Sequence, residues 1–210
     1  RSFYINQTKR IIMKKIQTIL LSGLAATMLF ACKSDGEDQA KTKGPDDEQV
    51  KKEIKEDRKK EECKATVSMS AKSGSTASGH IKLKEKDGVV KMNVEMKGLA
   101  PGKHAIHIHE KGDCSADDGT SAGGHWNPKG HDHGKWGQEA YHMGDIGNLV
   151  ANDKGEVSYE FETDKWCLEC DDTTKNIIGK SFIVHAGADD FKSQPSGAAG
   201  ARVACGVIEK

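Results

Sequence analysis

The sequence predicts an all-β domain, an eight-stranded Greek-key barrel or sandwich with two long functional loops. Three observations carry this. Short runs alternate apolar and polar residues, the period of a half-buried strand. Gly, Asp and Asn punctuate the runs at turn spacing. Two stretches, 111–144 and 186–201, are too long to be simple connections, and long loops in compact domains are usually functional.

The elements follow in order. "ATVSMS" (65–70) alternates strictly. "GHIKLKEKDGVVKMNVEMKGL" (79–99) holds two alternating runs about Asp87-Gly88, a strong hairpin signal. "HAIHIHE" (104–110) is the next strand. "IGNLVA" (146–151) and "EVSYEFET" (156–163) flank the turn "NDKG". "SFIVHA" (181–186) and "RVACGVIE" (202–209) supply the last two strands. Such regularly spaced short strands suit a sandwich or Greek-key barrel.

The domain begins at Cys63, and residues 63–210 form it. Residues 33–62 hold 20 charged residues, nine basic and eleven acidic, with almost nothing apolar to bury. They read as a solvated, disordered tether. "MKKIQTILLSGLAATMLFAC" (13–32) runs from two lysines through an apolar stretch to Cys32, the layout of a secretory signal and too short for a comfortable membrane span. It resembles a bacterial lipoprotein signal, which implies lipidation at Cys32. Residues 1–12 are an extension upstream of that signal, so 1–32 is set aside from the fold. The expected address is the bacterial cell envelope, periplasm or outer-membrane surface, with membrane contact through the lipid anchor only. The formal net charge of zero gives no reason to expect a nucleic-acid partner.

The chain has nine histidines, and three lie within residues 104–109. A strand alternates faces, so His107 and His109 point one way and Ile106 and Ile108 the other. The isoleucines can bury while the two imidazoles converge on an outward patch, a natural pair of metal ligands. His104 falls on the core side. Loop 111–144 adds His125, His131, His133 and His142, with Asp145 just beyond it, and His185 ends a later strand. Imidazoles and a carboxylate on a rigid β scaffold are how a protein assembles a site for borderline transition metals. His80 carries no signal.

Five separated segments, "GKHAIHIHEKGDC", "SAGGHWNP", "HMGDIGN", "IVHAGADD" and "GARVACGVI", resemble copper/zinc superoxide dismutase and occur in that family's order. The resemblance runs from about Cys63 to Lys210. It implies a copper site of His107, His109, His125 and His185, and a zinc site of His125, His133, His142 and Asp145, with one copper and one zinc per subunit. His125 would bridge the two metals and act in catalysis. Asp189 would accept hydrogen bonds from the ring nitrogens of His107 and His133 that bind no metal. Arg202 would be the catalytic guanidinium that holds superoxide beside copper. His104 would be structural, hydrogen-bonded to backbone, and His131 a solvated loop residue. Lys192 is the obvious basic candidate for steering in a shortened 186–201 loop.

Six cysteines are present. The resemblance pairs Cys114 with Cys205. Cys63, Cys167 and Cys170 depart from the family pattern. A local Cys167–Cys170 disulfide is the favoured reading, pairing of either with Cys63 is its rival, and one thiol is left over in each scheme.

The implied activity is disproportionation of superoxide to dioxygen and hydrogen peroxide, protecting the cell envelope from oxidative damage. The alternative is a copper-binding or copper-delivery lipoprotein on the same fold. The family includes homodimers and monomers, and either is compatible with these residues.

Overall fold

The computed structural model describes residues 62–210. The signal-like segment, Cys32 and nearly all of the tether lie outside the described residues.

Eight antiparallel strands form the domain: β1 (Cys63–Ala71), β2 (Ser78–Lys86), β3 (Val89–Lys97), β4 (Gly102–His109), β5 (Asp145–Ala151), β6 (Val157–Thr163), β7 (Ser181–His185) and β8 (Arg202–Val207). All eight runs predicted from alternation appear. They hydrogen-bond in the order β5-β4-β7-β8-β1-β2-β3-β6. The two end strands approach one another, so the series curls into a nearly closed barrel. The β3–β4 and β6–β7 connections cross between the two halves, as in a Greek key.

Strand alternation decides what fills the barrel. On β1, β2 and β3 every second residue is buried, among them Val67, Ile81, Leu83, Met92 and Val94. They meet Ile106, Ile108, Leu149 and Phe182 in one apolar core. Glu85 falls on this inner face and is only 7 % exposed. Its side-chain oxygen accepts the Leu168 N–H at 2.8 Å, so this buried polar group is hydrogen-bonded and anchors the segment after β6.

β4 from His104 onward and the whole of β7 are buried along both faces. Their outer faces do not reach solvent, because loops 111–144 and 186–201 cover them. His107 and His109 are 0 % and 1 % exposed. The outward patch expected from alternation is therefore an enclosed layer between barrel wall and loops.

Two sets of contacts fix loop 111–144. At its core end Trp126 N–H donates to the Ile108 carbonyl at 2.8 Å, and Gly144 N–H donates to the Trp126 carbonyl at 3.0 Å. Gly144 packs against β4 so closely that a Cβ there would stand 2.2 Å from the Ile108 oxygen, so only glycine fits. Nearby, Trp136 packs against Tyr141, Phe161 and Trp166 with ring centroids 5.1 to 5.4 Å apart. The indole N–H of Trp166 donates to the Met143 carbonyl at 3.0 Å.

Candidate metal centre

Three elements bring the four histidines of the first cluster together. β4 supplies His107 and His109, and the end of β7 supplies His185. His125 comes from loop 111–144, held opposite His109 by an isolated antiparallel bridge. The ligand atoms of these four lie within 4.8 Å of one another. The ring centroids of His107 and His125 are 4.0 Å apart.

Hydrogen bonds set which nitrogen of each ring is left bare. His109 Nδ1 is 2.9 Å from the Gly123 carbonyl oxygen, and His185 Nδ1 is 3.1 Å from that of Gly200. A carbonyl only accepts, so each Nδ1 carries the proton and each Nε2 presents a lone pair. His107 Nε2 is 2.9 Å from Asp189 Oδ2, which leaves its Nδ1 bare. The remaining atoms, His107 Nδ1 and Nε2 of His109, His125 and His185, are buried with no hydrogen-bond partner in the protein. Orphaned buried acceptors are costly unless something binds them. Four converging imidazole lone pairs fit a copper ion.

A second cluster shares His125. His125, His133, His142 and Asp145 also place their ligand atoms within 4.8 Å of one another. Here His125 offers its other nitrogen: Nδ1 is 2.8 Å from Asp145 Oδ1 and 3.4 Å from His142 Nδ1. His133 Nδ1 faces Asp145 Oδ2 at 3.0 Å without hydrogen-bond geometry. Asp145 is aimed by main-chain donors, Gly134 N–H at 3.1 Å and His142 N–H at 2.8 Å to Oδ2. Three imidazoles and a carboxylate fit tetrahedral zinc.

Asp189 joins the clusters from outside, its Oδ2 on His107 and its Oδ1 2.9 Å from His133 Nε2. It is buried, and Asn148 Oδ1 accepts its N–H at 2.7 Å.

The electrostatics separate the two clusters. Burial, then neighbouring imidazoles, push His109 down to about 2 and His185 to about 3. Burial also brings His125 to about 4, against the pull of Asp145. In the metal-free chain these three rings are neutral and ready to coordinate. At His133 burial works the same way, but the adjoining carboxylates of Asp145 and Asp189 outweigh it and raise the group to about 9. Burial would raise Asp145 and Asp189, yet hydrogen bonds from their histidines hold both well below the usual carboxylate range.

A cleft of about 430 Å³ opens onto the clusters, lined in part by His109, His125, His142, His185 and Arg202. Arg202, at the start of β8, donates from Nη1 to the Gly119 carbonyl at 2.7 Å and from Nη2 to that of Gly123 at 2.8 Å. Lys192 is exposed and stands outside that lining. A disulfide joins Cys114 to Cys205, three residues after Arg202. A second joins Cys167 to Cys170, and Cys63 is the free thiol among the described residues.

The structure keeps His104 of β4 and His131 of loop 111–144 out of the clusters. His104 is buried with Nδ1 and Nε2 each 2.8 Å from a carbonyl oxygen, of His185 and Ala100 respectively. His131 is exposed, its backbone bracketed by the Asn127 amide. Sequence reasoning did not single out the carbonyls of Gly119, Gly123 and Gly200. Main-chain partners carry no side-chain signature, and only the glycine richness of both loops hints at them.

Comparisons with known proteins agree with this geometry. A family model described as copper/zinc superoxide dismutase matches residues 77–208. A Cu-Zn superoxide dismutase of Caulobacter vibrioides is 40 % identical over 149 residues, covering 69 % of this chain and 85 % of the relative. One of Aquifex aeolicus is 39 % identical over 135 residues, covering 62 % and 78 %. A solved double mutant of a SOD-like protein from Bacillus subtilis superposes with a TM-score of 0.62 at 34 % identity, over 69 % of this chain and 97 % of that one. With family model, relatives, barrel and both ligand sets in agreement, the chain belongs to the copper/zinc superoxide dismutase family.

Proposed function

We propose that this enzyme disproportionates superoxide at a copper held by His107, His109, His125 and His185, bridged through His125 to a zinc held with His133, His142 and Asp145. One observation carries the reading: His125 presents Nε2 to one four-residue cluster and Nδ1 to the other. Bound copper supplies the one-electron couple that oxidises one superoxide and reduces the next.

The chain's own residues do the rest. His125 Nε2 would take up a proton in the first half-reaction and deliver it to the nascent peroxide in the second, with the other proton of hydrogen peroxide coming from solvent. Asp145 and the main-chain donors upon it fix where zinc sits and so aim that ring. Arg202 spends two N–H donors on the carbonyls of Gly119 and Gly123, which locks its always-charged fork in the cleft. It attracts the anion and orients it beside the copper ligands. Its fixed charge also favours encounter, an effect for which superoxide dismutase is itself a standard example.

For the rest of the chain, we read Cys32 as a lipid anchor, residues 33–62 as a tether and 63–210 as the enzyme domain, working in the bacterial envelope. Two disulfides suit an oxidising compartment.

The test is superoxide consumption by the purified chain loaded with copper and zinc, beside His109→Ala. Fast, copper-dependent decay that the variant loses supports the reading. Tight copper binding with turnover no faster than the variant's would transfer it to copper delivery.

A further inference from the structure

His133 is gripped by its main chain as well as by its ring. Its N–H donates to Gln194 Oε1 at 2.8 Å, and its carbonyl accepts from Gln194 Nε2 at 2.9 Å. One primary amide thus pairs both polar groups of a single residue, as an adjacent antiparallel strand would. Only Asn and Gln carry a donor and an acceptor in this arrangement, and Asn is one methylene shorter.

Gln194 is itself well placed. Asp190 Oδ1 accepts the N–H groups of Lys192 and Ser193, both at 2.8 Å, and Oδ2 accepts the Ser193 hydroxyl. Asp190 N–H donates to the Gly197 carbonyl at 2.9 Å, and Gly197 N–H donates to that of Ser193 at 2.7 Å. Gly197, with φ of +67°, rests directly on the Asp189–His133 pair. A Cβ there would stand 1.9 Å from Asp189 Oδ1 and 2.7 Å from His133 Nε2. The segment 189–197 therefore meets His133 three times: Asp189 on the ring, Gln194 on the peptide groups, Gly197 over the bond between ring and carboxylate.

We propose that Gln194 is a positioning residue for the zinc site. It fixes the backbone of His133, so that Asp189 and Asp145 need fix only the ring. His133 sits in an irregular stretch of loop with no strand to hold it, and the amide supplies the missing ladder. The inference rests on the assignment of His133 to zinc.

The test uses the full chain loaded with copper and zinc, and the variants Gln194→Ala, Gln194→Glu and His133→Ala. Zinc release into a chromophoric chelator and copper retention are followed together. Cobalt in the zinc site reports ligand geometry through its visible absorption. Gln194→Ala should release zinc about tenfold faster than the parent, the scale of lost outer-shell support, while copper stays bound. Its cobalt spectrum should change. Gln194→Glu keeps the acceptor for the N–H but faces an anionic oxygen to the carbonyl, so it should not rescue. Zinc release within twofold of the parent, or zinc and copper lost in parallel as a loosened fold would lose them, would overturn the proposal. If His133→Ala held zinc as the parent does, the zinc assignment itself would fall, and this inference with it.

Discussion

Arg202 and His109 meet at one atom, the carbonyl oxygen of Gly123. It accepts from Arg202 Nη2 at 2.8 Å and from His109 Nδ1 at 2.9 Å. The cleft-lining guanidinium and an imidazole of the first cluster are thus set by the same turn of loop 111–144. Arg202→Lys should lower superoxide turnover by on the order of tenfold, about one charge-assisted hydrogen bond. Copper content should not change, since His109 keeps its own bond to Gly123. Pulse-radiolysis rates with metal analysis check this, and equal rates would remove Arg202 from the chemistry.

The Cys114–Cys205 disulfide spans 91 residues of sequence and staples the same turn region to β8. Cross-linking so long a loop restricts the unfolded chain by roughly 4.6 kcal/mol. Replacing both cysteines by serine should cost about 2–5 kcal/mol in denaturant unfolding of the metal-free chain. Turnover should also fall, because Arg202 lies three residues from Cys205. A variant as stable as the parent would contradict the staple.

Asp189 contacts rings from both clusters. Asp189→Asn keeps the shape but turns one acceptor oxygen into an N–H₂ donor facing a ring N–H. Zinc affinity should drop about 10- to 100-fold in chelator competition. An unchanged affinity would mean that the His133 ring is held without Asp189.

The metal-free chain should be most stable near pH 6.5. His133, raised to about 9 after its carboxylates outweigh burial, contributes stability that is complete below the unfolded value of 6.5 and is lost as pH rises through 9. His125, His185 and His109 are lowered to about 4, 3 and 2, chiefly by burial. The unfolded chain then binds more protons than the folded one below 6.5, so stability falls as pH drops toward those values. Zinc displaces the His133 proton, so its binding should release about one proton near pH 8 and abolish the alkaline decline. Melting temperatures from pH 4 to 10, with and without zinc, test both limbs. A metal-free chain that stabilises steadily to pH 9 would refute the His133 assignment.

The fold was legible because seven of its strands carry one wet face or one plain apolar run, so period and turn residues suffice. β4 was legible as a strand but misleading as a surface. Alternation separates the His107/His109 face from Ile106/Ile108, yet it cannot tell that two loops roof the histidine face. The ligand positions were visible in residue type and in resemblance to the family. Their support was less so. Gln194 sits in an ordinary polar turn, Glu85 in a run of charges, and the glycine carbonyls nowhere in the side-chain code. Cysteine connectivity was open for a simpler reason: Cys63, Cys167 and Cys170 allow more than one pairing until β1 and the loop after β6 are placed. Of these three, the free thiol is Cys63.

The central claim is that one imidazole, His125, joins the two metal sites. Two paramagnetic ions bridged by an imidazolate couple magnetically. With copper in the first site and cobalt in place of zinc, the copper EPR signal should be lost in the parent chain and return in His125→Ala variants that still hold copper. A copper signal undiminished by cobalt in the parent would contradict a shared His125, and with it the account of the site.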